Sequence, residues 1–335
     1  MRFATYNVEW FDELFDAKDR LIRDTAWSAR HDITRKGQAD AIAAVLSAVD
    51  ADAVLIVEAP DASGRRSTVA ALESFAAYYG LRQRSAVMGF ANETRQEIAL
   101  MYDPGALDVV HAPRAGTPEV PRFDGVFGID LDVDATRDEV RFSKPPLELD
   151  IVTRSGTALH LIGAHLKSKA PLGARNDADI MRIAISNRRK QLAQAIWLRA
   201  RIDQVSAEGT PVIVMGDLND GPGLDEFEGL FGRSSVEIIL GSDGENPLFD
   251  PHAGRALSQR LGPLPTTSRF WIAPEKRFLQ ALLDYIMISH DLRARGADWR
   301  IWHPLDDPEC WADADLRDAL VAASDHFPVS IDLDI

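Results

Sequence analysis

The chain has 335 residues, 46% of them hydrophobic, and a net charge of −15. The apolar content suits a large soluble core, while the acidic balance disfavours a sequence-independent nucleic-acid clamp and leaves room for a locally basic one. A single cysteine, Cys310, excludes an intrachain disulfide framework; with no leader, lipidation motif or membrane-spanning apolar run, the default compartment is the cytoplasm, or a secreted or periplasmic one if a leader has been removed.

The first strand is expected near 2–8 and ends in Asn7-Val8-Glu9-Trp10. Residues 35–49 place Ala39, Ile42, Val45, Leu46 and Val49 at helical spacing. Val54-Leu55-Ile56-Val57-Glu58 lies in a strand over 53–58 that ends in an acid, and a second helix is expected over 66–79. Further strands follow near 97–102, 126–132, 139–143, 147–153 and 158–164, the last running into His165. A long amphipathic helix, rich in Arg, Ala and Gln, fills 178–207. Pro211 restarts the chain into a buried strand at 211–216, and strands near 284–289 and 328–334 complete the set. The stretches 111–125 and 232–270, rich in Gly, Pro, Ser and Asp, are expected as long surface loops and as candidates for substrate selection. No linker divides the chain, so residues 1–335 are expected to form a single domain. Ten short strands without a regular βαβ rhythm predict two packed sheets with helices on the outer faces, an α/β (α+β) fold.

Six of these strands carry or border polar groups of catalytic type. Most informative is Met215-Gly216-Asp217-Leu218-Asn219-Asp220, which follows the β-branched run Pro211-Val212-Ile213-Val214. Residues i and i+2 of an extended chain point the same way, so Asp217 and Asn219 form an oxygen-rich pair at a strand end, suited to a hard cation or a phosphate. Such a pair is also what an Asx turn closing a strand looks like. Gly216 lets the backbone approach a ligand, and Gly221-Pro222-Gly223 turns the chain away. The companions are Asn7, Glu58, the run His165-Leu166-Lys167-Ser168-Lys169, Asp284 and Ser324-Asp325-His326.

In that order the residues resemble the endonuclease/exonuclease/phosphatase superfamily, which includes deoxyribonuclease I. The resemblance runs from residue 3 to about 333 and is strongest to bacterial nuclease-type members, through Asn7 to Phe11 and His165 to Lys169. It implies a four-layer α/β/β/α sandwich. One departure is visible: Val57-Glu58 stands where the family usually has Gln-Glu. The resemblance also implies that His165 contacts the scissile phosphate or assists the leaving group, and that Arg189, ahead of Gln194-Ala195, reaches the phosphate pocket. A solvated helix face is the plainer explanation of Arg189 and of Arg182, two turns away.

The chemistry implied is attack of water on a phosphorus ester. Glu58 is the first choice as a metal ligand, with Asn7 and Asp325 binding directly or through water, and Asn7 also facing substrate. All are hard oxygen donors, and no Cys/His cluster of zinc spacing exists, which favours Mg²⁺ or Mn²⁺ over Zn²⁺. Asp284 is expected to fix the tautomer of His326, which then either takes a proton from water or binds a phosphoryl oxygen as imidazolium. Alternatively Asp217 orients or deprotonates the water, positioned by Asn219. Lys167 and Lys169 share a face with His165 if the strand continues, and there either meet a phosphate or stay solvated. Phe270 and Trp271, expected in a loop, either stack on a base or simply anchor that loop. The expected activity is metal-dependent hydrolysis of phosphodiesters in DNA, RNA or nucleotides. The alternatives are a phosphomonoesterase on inositol, sugar or lipid headgroups, and a catalytically silent binding protein. No membrane anchor or protein partner is indicated.

Overall fold

A computed structural model describes residues 1–130, 138–171, 173–221, 232–258, 263–272 and 276–335. The first main sheet holds β1 (Arg2–Asn7), β2 (Ala53–Ala59), β3 (Ser85–Met88), β4 (Glu97–Tyr102), β14 (Asp298–Ile301) and β15 (Val329–Asp332), in the order β14-β15-β1-β2-β4-β3. The second holds β5 (Leu107–His111), β8 (Leu147–Thr153), β9 (Ala158–His165), β10 (Val212–Asp217) and β13 (Asp284–Ile288), in the order β13-β10-β9-β8-β5. Two antiparallel pairs stand apart: β6 (Phe127–Ile129) with β7 (Asp138–Val140), and β11 (Ser268–Ile272) with β12 (Arg277–Ala281).

Period-two alternation sorts the side chains into layers. Phe3 of β1, Leu55 and Val57 of β2, and Ile213 and Met215 of β10 fill the space between the sheets. Ala4, Tyr6, Val54 and Ile56 face outward, against α1 (Arg35–Val49), α2 (Thr68–Tyr79) and α8 (Ala314–Ala323). Val212 and Val214 face the other way, against α3 (Asp177–Ala207), α4 (Ser235–Leu240) and α5 (Pro251–Ser258). Short helices α6 (His290–Arg293) and α7 (Pro308–Ala312) lie between β13 and α8. The result is an α/β/β/α sandwich. Each fully buried Leu, Ile or Phe contributes roughly 1.5–3 kcal/mol, so three apolar layers supply the bulk of the driving force. Among the described residues no helix is long and apolar enough to cross a membrane.

Several expectations need correction. The stretch 232–270 is not a continuous loop. Its polar residues are helix starts: Ser234 and Glu237 form a capping box at α4, and Asp250 accepts from the His252 and Ala253 amides as α5 begins. Phe270 and Trp271 lie on β11, not in a loop. Strands β3, β5 and β14 were not foreseen; they are edge strands, where a mixed polar sequence hides the alternation. The end of the strand expected at 126–132, and Pro222 and Gly223, lie outside the described residues.

The topology fixes where the polar groups meet. β1 runs parallel to β2, and β9 parallel to β10, so Asn7, Glu58, His165 and Asp217 arrive at strand ends on one rim. β13 is antiparallel to β10 and β15 to β1, so Asp284 and the residues before Val329 enter from the same rim. Asp217 is registered opposite both His165 and Asp284. Two glycines allow this approach. At Gly163 an added Cβ would sit 2.5 Å from Leu55 Cδ1 across the sheet interface. At Gly216, with φ +138°, it would collide with the Ala164 carbonyl oxygen. We therefore expect Gly216→Ala to destabilise the protein by about 2–4 kcal/mol in urea unfolding, since neither the strained φ nor the rigid backbone neighbour can relax. Gly254→Ala, in open space on α5, should instead be neutral or stabilise by up to about 1 kcal/mol.

Candidate active site

Asp217 lies at the centre of the cluster, buried at the end of β10. Asn219, in the left-handed region at φ 50°, folds its backbone back so that its N–H donates to Asp217 Oδ1 at 2.7 Å, an Asx turn. Its side-chain amide donates to Asp217 Oδ2 at 3.1 Å and to the Leu166 carbonyl at 3.1 Å. Asn7 Nδ2, from the other sheet, donates to the same Oδ2 at 3.0 Å. Burial pushes the Asp217 carboxyl up to about 7, against the pull of His326. The turn geometry and the site geometry are thus one arrangement.

Asp284 and His326 form a second unit. His326 Nδ1 lies 2.8 Å from Asp284 Oδ2, which also accepts from Thr267 Oγ1 at 2.7 Å. Thr267 Oγ1 in turn accepts the Asp284 amide, so Thr267 braces both the backbone and Oδ2 of Asp284, while Asp284 Oδ1 is buried with no hydrogen-bond partner among the described residues. Burial opposes charge on His326, but Asp284 at contact and Asp217 and Asp325 nearby overcome it and hold the imidazolium well above its ordinary pKa. His326 Nε2 faces Asp217 Oδ2 at 4.0 Å. Ligand atoms of Asp217, Asp284 and His326 all lie within 4.8 Å of one another. That spacing suits an ion, yet Asp217 Oδ2 already accepts from Asn7 and Asn219 and Asp284 Oδ2 from Thr267 and His326, which is the pattern of a proton-holding network.

The better fit for a divalent cation is beside them. Asn7 Oδ1 is buried with no donor. Glu58 is the unpaired residue of a β-bulge in β2, between Val57 and Ala59, and sits at φ 60°, a strained placement beside Lys144, His326 and Asp325. Burial raises its pKa, Lys144 and His326 lower it, and Asp325 raises it again. Glu9 is pushed up to about 7 by burial and by Asp325, even though it is paired with Arg30. Carboxylates that repel one another around an orphaned amide oxygen make a hard-oxygen donor set short of positive charge.

His165 ends β9, with Nε2 3.6 Å from Asp217 Oδ2. Burial, with Lys144 and His326 nearby, holds its pKa well below the usual value, so the ring is neutral. Sequence reasoning missed Lys144, whose Nζ lies 3.3 Å from His165 Nε2. Burial lowers its pKa, while Glu58 and Asp217 favour its charge. The pairing of Leu147 with Gly163 brings the start of β8 alongside the end of β9, an offset that carries no signal in the sequence around Lys144.

The structure thus brings Asn7, Glu58, His165, Asp217, Asn219, Asp284, Asp325 and His326 to one rim. One lysine expectation changes. β9 stops at His165, so the alternation does not reach Lys169, which bonds Asp220 at 2.6 Å beside the buried Arg188. Lys167 is half-buried, its amide held by Gln194 Oε1 at 2.9 Å, and its charge acts on both His165 and Lys144. Arg189 reaches Asp138 of β7 at 3.3 Å, and its neighbour Arg188 is the arginine that enters the interior.

Comparison with solved structures gives similar folds at low identity. The 3′ phosphatase NExo from Neisseria, solved with product DNA hairpin, is 15% identical with a TM-score of 0.50, covering 100% of both chains. Truncated TDP2 from Caenorhabditis elegans is 12% identical with a TM-score of 0.48, over 98% of this chain and 96% of that one. The human Nocturnin catalytic domain is 15% identical with a TM-score of 0.44, over 99% and 93%. No curated protein sequence matches the chain significantly. The model of the endonuclease/exonuclease/phosphatase family matches residues 4–326. With that match spanning nearly its whole length, the chain belongs to the endonuclease/exonuclease/phosphatase family, a family of phosphoester hydrolases that are generally dependent on divalent metal.

Proposed function

We propose that the protein is a phosphodiesterase that hydrolyses nucleic acid or nucleotides. The observation that carries this reading is the single rim at which Asp217, His326–Asp284, His165 and Lys144 stand beside Glu58, Asn7 and Asp325. A divalent cation, Mg²⁺ or Mn²⁺, would be held by Glu58, Asn7 Oδ1 and Asp325, and would supply charge neutralisation of phosphoryl oxygens and acidification of water. The protein's own groups do the rest. Asp217, held by Asn7 and Asn219, is oriented to accept the proton of the attacking water. His326 donates Nδ1–H to Asp284, which stabilises its charged form and leaves Nε2–H to bond a phosphoryl oxygen. Lys144 adds a second positive charge, and neutral His165 faces the same space. Electrostatics supports a diester over a monoester. A diester carries one negative charge and a monoester close to two near neutral pH, while Glu9, Glu58 and Asp325 already crowd the rim.

Four outcomes test this. Plasmid, single-stranded DNA and inositol phosphates are incubated with the enzyme and Mg²⁺ or Mn²⁺. Strand cleavage without release of inorganic phosphate is expected; phosphate release from inositol phosphates alone would overturn the diester reading. EDTA should abolish cleavage, and added Mg²⁺ or Mn²⁺ should restore it. Asp217→Asn and His326→Gln should each lower kcat by about 10²- to 10⁴-fold, with folding unchanged by circular dichroism. Lys144→Met should cost about 10²-fold in kcat/KM, and Lys144→Arg clearly less, because the charge rather than the stem is used.

A further inference from the structure

Left-handed backbone is concentrated at one small pocket. Among the described residues, eight other than glycine have positive φ, and four of them are Asp or Asn, which tolerate that region. Of the remaining four, three line the same pocket, of about 130 Å³: Trp10 at φ 59°, Glu58 at φ 60° and Arg95 at φ 60°. They come from three separate segments of the chain. Each such placement costs on the order of 1–3 kcal/mol and persists only where the surroundings impose it, as they do at ligand clamps. Glu58 is one wall of the pocket, so the pocket abuts the place assigned to the cation. It shares no lining residue with the larger cavity between segment 29–33 and the β11–β12 pair.

The walls are held from behind. Phe11 packs edge-on against Phe15 and Phe75 and fixes the 3-10 turn Phe11–Leu14 that follows Trp10. Asp12 accepts from Arg66 at 2.6 Å and from the Asp61 amide at 3.0 Å. Opposite, the Thr94 amide donates to Asn92 Oδ1 at 2.7 Å, and Asn92 Nδ2 donates to fully buried Glu97 at 2.7 Å. Glu97 is registered with Ala59, directly past the Glu58 bulge, so the bulge and the loop after β3 are tied together. Trp10 is 47% exposed, and its Nε1–H bonds Glu9 Oε1 at 2.8 Å, which orients the indole and leaves a ring face open. A braced pocket with an exposed, oriented ring is pre-organised for a ligand.

Size, charge and position select the occupant. A pocket of about 130 Å³ is well below the roughly 300–1,000 Å³ of a whole-ligand site and admits one small ring. Asp12, Glu13 and Glu58 line it with a single guanidinium, Arg95, which pairs with Asp61 at 3.9 Å. A second phosphate is disfavoured there. Glu58 borders both the cation site and the pocket, so the occupant is the group esterified directly to the phosphorus. In a nucleotide that group is the sugar, and the base lies one ring further out. A sugar also matches the lining: its C–H face packs on an indole, and its oxygens suit the polar side chains of Glu13 and Gln96.

We infer that this pocket receives the sugar of a nucleotide esterified to the scissile phosphate, packed on the face of Trp10. The inference rests on the nucleic-acid reading above and adds a sugar subsite to it. Trp10 binds substrate and takes no part in bond breaking.

The test uses the full chain, Mg²⁺ or Mn²⁺, and three short oligonucleotides. One is unmodified. The second carries abasic tetrahydrofuran residues, sugar ring without base, on both sides of the cleavage position. The third carries propanediol spacers there, with neither ring nor base. Trp10→Ala should raise KM about tenfold on the first two, with kcat little changed, and should leave the third unaffected. Trp10→Phe should restore most of the affinity. A loss confined to the unmodified oligonucleotide would show a base site and overturn the inference. An equal loss on all three, or on none, would overturn it too, and each of these results leaves the phosphodiesterase reading standing. The wild-type enzyme gives a reading independent of any variant's folding: its KM should rise about tenfold from the tetrahydrofuran to the propanediol substrate, and equal values overturn the inference. Absence of cleavage of any nucleic acid or nucleotide by the wild-type enzyme would remove the reading beneath it as well.

Discussion

The hydrogen bond from Asn7 Nδ2 to Asp217 Oδ2, 3.0 Å long, crosses from one sheet to the other. It joins two sheets whose shared interface beneath it is largely apolar. That interface has no directional preference, so it can set how closely the sheets pack but not which polar groups meet at their edge. The strand pairings set that. Asp217 sits opposite His165 on one side and Asp284 on the other, and a slip of one residue would turn its carboxylate toward the opposite face of the sheet. The inter-sheet bond and the register together make a buried acid tolerable: its oxygens accept from Asn7 and Asn219 rather than being left bare.

Most of the rim was legible in the sequence because each member ends or borders an apolar strand. Asn7, Glu58, His165 and Asp217 could be placed by the ends of their apolar strands together with the family order, Asp284 as the start of its strand and His326 just ahead of the last one. Lys144 was not legible. It stands outside its strand, and its role arises from the offset between β8 and β9, which no local pattern encodes. Lys169 was left open between phosphate and solvent, on the condition that the strand continued; β9 ends at His165, and the ammonium instead helps satisfy buried Asp220 with Arg188. Helices α4 and α5 were hidden because Ser, Asp and Gly mark both loops and helix caps. The β11–β12 pair was hidden because its exposed aromatics do not alternate cleanly with polar residues.

Electrostatically the protein works against itself in a useful way. A chain with a net charge of −15 still concentrates carboxylates at the rim and buries several of them. Buried charge is costly unless matched, and the matching here is uneven. Asp220 is fully served by Arg188, Lys169 and the Ser235 amide, which ties the chain after β10 to α4. Glu9, Glu58 and Asp325 are not served to the same degree. Structural acids and chemical acids can therefore be told apart by how completely the surrounding protein neutralises them.

The pairing of β1 with β15 has a consequence for biosynthesis. The Ser324 hydroxyl donates to the Asn7 carbonyl across 317 residues of sequence, and His326 follows two positions later. At translation rates of roughly 5–20 residues per second, about a quarter of a minute to a minute separates the emergence of these two edges from the ribosome. For all of that time the nascent chain holds the Asn7 edge without the segment that carries His326. A hydrolase assembled in this order stays inert until β15 is in place.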